Sequence, residues 1–196
     1  MNEISKEKSE LRKQLRERVA ALTTGERDQA DGKVVEFIQA RPEWRAARTV
    51  MLFVPLADEI NILPLLNAAI HHHKTLVLPR FNPLKRLYEP AIVSNFGEQL
   101  TAGSYGVSEP TSDCTLCPVN RLDVTVVPGL GFDREGRRLG RGKGFYDRLL
   151  ADASGLLWGV GHDVQLMDQL PVEPHDVVLN CIVTPTRWVD VRPARG

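Results

Sequence analysis

The residues with the richest chemistry lie between positions 136 and 148, which read GRRLGRGKGFYDR. This stretch holds four glycines, five basic side chains and one acid. Glycines let backbone amides approach an anion closely, and a helix that begins near Phe145 adds the positive end of its dipole. The pattern predicts a phosphate-binding loop built from three glycines and three cations: Gly140, Gly142, Gly144, Arg138, Arg141 and Lys143.

The predicted loop differs from the two common phosphate-binding motifs. Lys143 is followed by Gly144 and not by the Ser or Thr that would hold magnesium in a Walker loop. The Gly-x-Gly-x-Gly spacing is not the dinucleotide-binding fingerprint either. A solvated basic hairpin is the alternative interpretation of the same residues.

Acidic residues near the loop are candidate metal ligands. Asp147 falls in the first turn of the following helix, where it could hold magnesium together with substrate phosphates or only complement the helix dipole. Asp133, in the sequence GFDREG, is a second candidate, although Asp-x-x-Gly is also typical of a turn. On spacing alone, Asp176 is a loop acid.

The first predicted helix, residues 7–22, carries two cations on its apolar side. Lys8 and Arg12 fall within the same arc as Leu15 and Val19 at 100° per residue. Cations in that position either extend from the edge of the core into water or point inward toward an anionic ligand.

Histidines and cysteines give weaker signals. His71–His73 close a predicted helix, where cations suit the dipole and no partner ligands for a metal are visible. Cys114 and Cys117 lack a second cysteine pair and precede a proline. Together with Cys181 they make an odd count, which predicts free thiols in a reducing compartment.

The whole-chain composition bounds the class of protein. The 196 residues are 42% hydrophobic and 26% charged, with a formal net charge of zero. These values are ordinary for a globular protein and indicate neither nucleic acid nor a membrane surface as partner. Neither a secretory signal nor a run of about eighteen apolar residues is present. We therefore expect a cytoplasmic protein that acts without nucleic acid or membrane.

Apolar runs alternate with helical patterns along the chain. Thr23 and Glu26 have capping-box spacing, which predicts a second helix that ends before Pro42, and Asn61 can cap a third. The strand-like runs are 49–56, 75–80, 88–94, 122–132, 155–163 and 177–185, and residues 97–120 read as loop. This alternation predicts one α/β domain over 1–196, with a mostly parallel sheet and helices on both faces in a Rossmann-like three-layer arrangement. Ligands of such sheets bind at the carboxyl ends of the strands.

Four stretches together resemble a known enzyme family. VPGLGFDREGRRLGRGKGFYDRLL (127–150) closely resembles the signature of the 5-formyltetrahydrofolate cyclo-ligase family, also called methenyltetrahydrofolate synthetases. KSELRKQLRERV (8–19), YGVSEP (105–110) and LPVEPHDVVLNCIVTPT (170–186) are similar to its first helix, central loop and C-terminal motif. The resemblance runs nearly end to end through the chain.

The resemblance implies an ATP- and Mg²⁺-dependent cyclisation of 5-formyltetrahydrofolate to 5,10-methenyltetrahydrofolate, in a monomer. It implies Asp147 and Asp176 as metal-associated acids. Charge and spacing within the loop further suggest Arg141 and Lys143 as catalytic residues that stabilise charge on the transferring group. The implied nucleotide-binding positions are Lys8, Ser9, Glu10, Leu11, Arg12, Arg138, Leu139, Gly140, Arg141, Gly142, Lys143, Gly144, Phe145 and Tyr146. The implied folate-binding positions are Val54, Glu59, Arg141, Gly142, Lys143, Gly144 and Phe145.

The sequence also departs from the family pattern. Phe145 stands where the family has tyrosine, and Asn180 and Cys181 replace an acid and an aromatic residue. Three alternatives therefore accompany the resemblance. They are a folate- or nucleotide-binding protein without turnover, an ATP-dependent ligase of another N-formyl or amide substrate, and a nucleic-acid module, which overall neutrality disfavours.

Overall fold

The computed structural model describes residues 3–103, 106–173 and 176–191. The helices are α1 (Glu3–Ala20), α2 (Thr24–Ala40), α3 (Pro42–Ala46), α4 (Leu63–His71), α5 (Phe96–Gln99) and α6 (Phe145–Leu150). The strands are β1 (Thr49–Met51), β2 (Thr75–Asn82), β3 (Leu87–Ile92), β4 (Leu100–Ala102), β5 (Ser108–Pro110), β6 (Val124–Pro128), β7 (Gly131–Asp133), β8 (Arg138–Leu139), β9 (Leu156–Val160), β10 (Leu166–Met167), β11 (Cys181–Thr184) and β12 (Arg187–Asp190). Short 3-10 helices cover Val119–Arg121 and Asp163–Gln165.

A seven-stranded sheet forms the centre, in the order β12-β11-β9-β6-β1-β2-β3. Its five inner strands run parallel, whereas β3 and β12 pair antiparallel at the two edges. A three-stranded sheet, β10-β7-β8, and a two-stranded sheet, β4-β5, accompany it. The prediction of a mostly parallel α/β sheet is confirmed.

Helices cover both faces of the large sheet, as predicted. Successive strand residues point to opposite faces. Leu76 and Leu78 of β2 accordingly pack in one core with residues of α2, α3 and α4. Val77, between them, packs in a second core with Leu149 and Leu150 of α6.

The first helix packs away from these two cores. Leu15 of α1 lies in a small cluster with Leu139 of β8 and Leu170. The helix is thereby fixed against the strand that opens the glycine-rich loop. The second helix begins as predicted, because Thr23 and Glu26 form a capping box in which each accepts the backbone N–H of the other.

Several predicted boundaries were wrong. The single strand expected over 122–132 is two strands in different sheets, because the chain leaves the large sheet after Pro128 and Leu130 N donates to Leu139 O at 2.8 Å. The expected loop 97–120 contains α5 in part, β4 and β5, which are too short to show a hydrophobic period. The edge strand β12 was not predicted.

The structure also bears on the cysteines and on membranes. Cys114, Cys117 and Cys181 are buried and unbridged, which confirms the prediction of free thiols. Across the described ranges, no helix has the length and apolar character that crossing a bilayer requires.

A buried histidine makes stability depend on pH. His162, which follows β9, is 2% exposed, and burial, helped by Arg27 and opposed by Asp163, lowers its pKa from the ordinary 6.5. Below about pH 6.5 the unfolded chain therefore binds a proton that the folded chain resists. We expect the free energy of unfolding to fall as the pH drops through that range, and denaturant titrations at pH 7.5 and 5.5 measure it. His162→Asn should reduce the fall and the exposed His72→Asn should not; equal falls in all three proteins would contradict this assignment.

Candidate active site

A cavity of about 370 Å³ opens at the carboxyl ends of the parallel strands. Phe53 and Val54, just after β1, line it together with Pro128 and Gly129 at the end of β6. β1 lies between β6 and β2 in the sheet. From β1 the chain continues to β2 and β3 on one side, whereas β6, β9 and β11 follow on the opposite side, so the strand order reverses between β1 and β6. Open α/β sheets bind ligands at such a reversal, and the cavity lies where the sequence predicted.

The structure brings most of the predicted site residues to this one cavity. Those that line it are Lys8, Arg12, Val54, Glu59, Arg138, Leu139, Gly140, Arg141, Gly142, Lys143, Gly144, Phe145, Tyr146, Asp147 and Asp176. Three predicted nucleotide-binding positions on α1 do not line it. Ser9 and Glu10 are exposed, and Leu11 packs against the small cluster around Leu15.

The first helix presents its two cations to the cavity. Lys8 is 5% exposed, and its Nζ lies 2.7 Å from Asp176 Oδ2 and 2.9 Å from Glu173 Oε2. Burial disfavours the ammonium ion, but hydrogen bonds and charges from the two acids outweigh it, so the pKa of Lys8 is raised. Arg12, one turn further along, donates from Nε to Gly140 O at 2.8 Å.

The glycine-rich loop needs glycine at position 142, where its backbone lies against the Arg12 side chain. Gly142 has a φ of +92°, which side chains rarely adopt, and a Cβ there would lie 3.3 Å from the Arg12 guanidinium carbon. The loop can therefore pass directly over Arg12. Gly144, the residue that caps the start of α6, has a φ of +63° and so lies in the left-handed region.

Arg138 and Asp147 form an inward-facing ion pair. Arg138 Nη2 lies 2.9 Å from Asp147 Oδ1, and the side chains are 5% and 15% exposed. The guanidinium carbon lies 5.6 Å from the ring centre of Tyr146. Burial is the main cause that raises the pKa of Tyr146 well above its ordinary value. Glu59 and Tyr88 raise this pKa further and Arg138 opposes them, so the phenol stays neutral.

Arg141 reaches back across the cavity to the segment after β1. Its Nη2 lies 2.6 Å from Asp58 Oδ1 and 3.0 Å from Glu59 Oε1. Burial opposes ionisation, but these hydrogen bonds and charges outweigh it and raise the pKa of Arg141. The other Glu59 oxygen accepts Leu56 N–H at 3.0 Å, so this carboxylate holds the arginine in place.

The rim of the loop is fastened to the β2–β3 hairpin. Arg148 donates to Lys143 O at 3.2 Å and to Arg86 O at 3.0 Å, and its guanidinium lies 5.3 Å from the centre of the Phe145 ring. Phe145 also packs against Phe81 and Tyr88, at ring-centre distances of 5.0 and 5.3 Å. The residue that departs from the family pattern thus belongs to an aromatic wall.

Charges in the cavity are balanced. Among the lining residues that the structure describes, five cations face five carboxylates: Lys8, Arg12, Arg138, Arg141 and Lys143, with Glu59, Glu109, Asp147, Glu173 and Asp176. Lys8, Arg138 and Arg141 are held by acids, so a phosphate group that binds any of these three must take it from those acids.

The two predicted metal ligands share the cavity, but they lie on different segments and each holds a cation. Within the described ranges, no group of three or more His, Cys, Asp or Glu residues is arranged to hold a metal ion. Two carboxylates suit magnesium when phosphates complete its coordination. Asp133, the competing candidate, is instead a turn residue: it is fully buried and accepts N–H bonds from Glu135, Arg137 and Leu170.

Sequence reasoning missed several residues of this site, among them three acids and a tyrosine. Asp58 and Glu173 hold the cations Arg141 and Lys8, and Tyr88 and Glu109 line the cavity. Glu109 and Glu173 lie inside stretches quoted for the family resemblance. However, an acid in a loop has no periodicity that would show which cation it meets.

A glycine-rich cationic loop at the strand-order reversal of a parallel sheet is typical of α/β proteins that bind phosphorylated ligands. The family model for the 5-formyltetrahydrofolate cyclo-ligase family matches residues 4–185. The chain belongs to this family, which confirms the resemblance, and it is by that membership a ligase.

Individual relatives agree with the family model. The chain is 30% identical over 177 residues to 5-formyltetrahydrofolate cyclo-ligase of Escherichia coli K12, covering 88% of this chain and 97% of the relative. It is 34% identical over 149 residues to the Mycolicibacterium smegmatis enzyme, covering 74% and 77%. The NMR structure of Aquifex aeolicus 5,10-methenyltetrahydrofolate synthetase matches with a TM-score of 0.86 and 32% identity, covering 96% and 95%.

The Arg138–Asp147 pair should stabilise the folded chain. Arg138→Met leaves a largely buried carboxylate without its cation, and we expect it to cost about 3 kcal/mol of unfolding free energy. The double variant that combines Arg138→Met with Asp147→Asn should regain much of the lost unfolding free energy, because it removes the unpaired carboxylate charge. Denaturant unfolding of both single variants and the double variant measures the coupling. Strictly additive losses would show that the pair does not act as a unit.

Proposed function

We propose that the chain catalyses the ATP- and Mg²⁺-dependent cyclisation of 5-formyltetrahydrofolate to 5,10-methenyltetrahydrofolate, with release of ADP and phosphate. One observation carries the proposal: the cations of α1 and of the glycine-rich loop share a single cavity with an apolar, aromatic wall. A triphosphate and a folate ring need these two surfaces side by side. Family membership supplies the reaction type.

The reaction divides into two steps with different demands. An N-formyl oxygen is a poor leaving group, and transfer of the terminal phosphoryl group of ATP to that oxygen converts it into phosphate. N10 of the same folate then attacks the formyl carbon and loses its proton. The C–O bond breaks, and the former formyl oxygen leaves with that proton as hydrogen phosphate. The second step is intramolecular, so a folate held in a near-attack pose can gain an effective molarity of ~10⁵ M or more.

Charge and position assign the roles for the first step. Lys8, Arg12 and Arg138 are fixed by α1 and β8 and would hold ATP phosphates. Arg141 and Lys143, on the loop, would stabilise negative charge on the transferring group. Phosphoryl transfer relies on this positioning and electrostatic stabilisation more than on covalent help from protein.

Nucleotide binding requires an exchange of partners within the site. Phosphate oxygens that take Lys8 and Arg138 would release Asp176 and Asp147, which are their present partners. Two freed carboxylates beside a triphosphate repel it. Asp147 and Asp176 would then hold Mg²⁺, which supplies neutralisation of phosphate charge when it is bound.

The activity and the two loop cations are tested together. Product formation is followed by the absorbance of the conjugated methenyl bridge, with and without ATP, and we expect signal only with ATP. Arg141→Ala and Lys143→Ala should each lower kcat by ~10²–10³, because both cations act on the transferring group.

Arg134→Ala is the matched control, since Arg134 is exposed, near the loop and outside the cavity lining. Its turnover should equal that of the unchanged protein. Full turnover in both loop variants would refute their assignment. If the unchanged protein forms no product while it still binds ATP, the chain is a binding protein or a ligase of another substrate.

Metal and nucleotide should bind cooperatively. The phosphates would take Lys8 and Arg138 from Asp176 and Asp147, and Mg²⁺ would then replace these cations beside the two acids. Isothermal titration should show ATP binding ~10- to 100-fold more tightly with Mg²⁺ than with a chelator, and Mg²⁺ binding weakly without nucleotide. Asp176→Asn should reduce this coupling, whereas the exposed Asp152→Asn should preserve it. Equal ATP affinity with and without Mg²⁺ would argue against the exchange.

A further inference from the structure

Two arginines from helices hold the glycine-rich loop by its backbone carbonyl groups. Arg12 of α1 donates from Nε to Gly140 O at 2.8 Å, and Arg148 of α6 donates from Nη2 to Lys143 O at 3.2 Å. Two residues of the loop separate these points. The loop is therefore anchored at both ends, and each anchor is a side chain that comes from outside the loop.

The two anchors stand in different relations to the cavity. The Arg12 side chain lines it, and Arg12 is one of the cations that would hold ATP phosphates. Nucleotide would therefore compete with Gly140 O for this guanidinium. Arg148 is not among the described residues that line the cavity, so nucleotide would leave its bond to Lys143 O in place. The Lys143 end of the loop would keep its anchor while the Gly140 end exchanges partners.

Arg148 also joins the loop to the wall of the cavity that β2 and β3 form. The same Nη2 donates to Arg86 O at 3.0 Å, in the turn between these strands. Arg86 has a φ of +54°, which residues with a side chain rarely adopt, so an unusual backbone conformation sets the direction of this carbonyl. The Arg148 guanidinium further lies 5.3 Å from the centre of the Phe145 ring, which packs on Tyr88 of β3. One guanidinium thus connects the loop, the hairpin turn and the aromatic wall.

We propose that Arg148 is a positioning residue for phosphoryl transfer that acts through Lys143, and this rests on the function proposed above. The bond from Arg148 to Lys143 O holds the peptide group next to the Cα from which the Lys143 side chain projects. Arg148 thereby determines where the ammonium group of Lys143 can reach, although Arg148 itself lies outside the cavity lining.

The backbone around Lys143 cannot fix this position alone. Its neighbours Gly142 and Gly144 have φ values of +92° and +63°, and glycine adopts many other conformations at little cost. A Cβ on Gly144 would lie 3.1 Å from Arg148 Nη1, so glycine at this position also lets the guanidinium lie close against the loop. Displacing a catalytic group by ~1 Å can cost ~10²-fold in rate, so a loop this permissive needs an anchor from outside.

Removal of the N–H donors of Arg148 tests the proposal. Arg148→Met keeps an unbranched side chain beside the Phe145 ring, and both lost bonds are exposed, so the variant should unfold at about the same temperature. Single-turnover formation of the methenyl product at saturating ATP, Mg²⁺ and 5-formyltetrahydrofolate should be ~10-fold slower than in the unchanged protein. ATP affinity, measured by isothermal titration, should stay within about twofold. Arg121→Ala removes an exposed arginine outside the cavity lining and should keep the full rate.

A double-mutant cycle distinguishes positioning from a structural role. In Lys143→Ala the group through which Arg148 acts is absent, so adding Arg148→Met should slow the single-turnover rate by less than about twofold. A further loss of ~10-fold in that background would show that Arg148 acts on the fold or directly on the substrate, and it would overturn the proposal. If Arg148→Met unfolds at a lower temperature than the unchanged protein, Arg148→Gln, which is polar but shorter, replaces it in the same cycle.

Two failures have different meanings. An Arg148→Met variant that forms product at the full rate would overturn this proposal and leave the cyclo-ligase assignment standing, and so would a Lys143→Ala variant that does the same. An unchanged protein that forms no methenyl product with ATP would overturn the proposed function and the role of Arg148 with it.

Discussion

The site depends on keeping several cations charged inside a protein wall before any ligand arrives. A buried, unpaired charge is strongly destabilising, so each buried cation must have an acceptor of its own. Lys8 has Asp176 and Glu173, Arg138 has Asp147, and Arg12 has a loop carbonyl. These acceptors come from distant parts of the chain, and the pairing therefore determines which segments the fold must bring together.

The order of strands in the large sheet brings these segments together. β1 and β6 are adjacent and parallel, so the segments that follow them emerge side by side at one edge. From that edge the chain returns through β7 and β8 to the glycine-rich loop, and α1 is packed against β8 through Leu15 and Leu139. Residues 58 and 141 thereby meet across 83 positions of sequence.

The residues that line the site could be predicted from the sequence better than the contacts among them. Alternating glycines and an apolar helix face are local patterns, so the loop and the position of Lys8 and Arg12 on the apolar face could be predicted from them, whereas the inward direction of these two cations was one of two alternatives. The acids that pair with the cations could not be predicted, because Asp58 and Glu173 lie in irregular segments whose neighbours are set by tertiary structure. The break between β6 and β7 was missed for a related reason: residues 124–132 contain one polar side chain, Thr125, and periodicity does not show that the chain changes sheets there.

The burial of the cations agrees with the roles proposed for them in the two steps of the reaction. Lys8 and Arg138 are nearly inaccessible and lie on a helix and a strand, which suits groups that bind phosphates in the ground state. Arg141 is 34% exposed and Lys143 lies on the rim of a loop hinged by glycines. Only interactions that strengthen in the transition state accelerate a reaction. Cations that reach their final partners after the substrate has bound can supply such interactions, whereas cations fixed from the start mainly supply affinity.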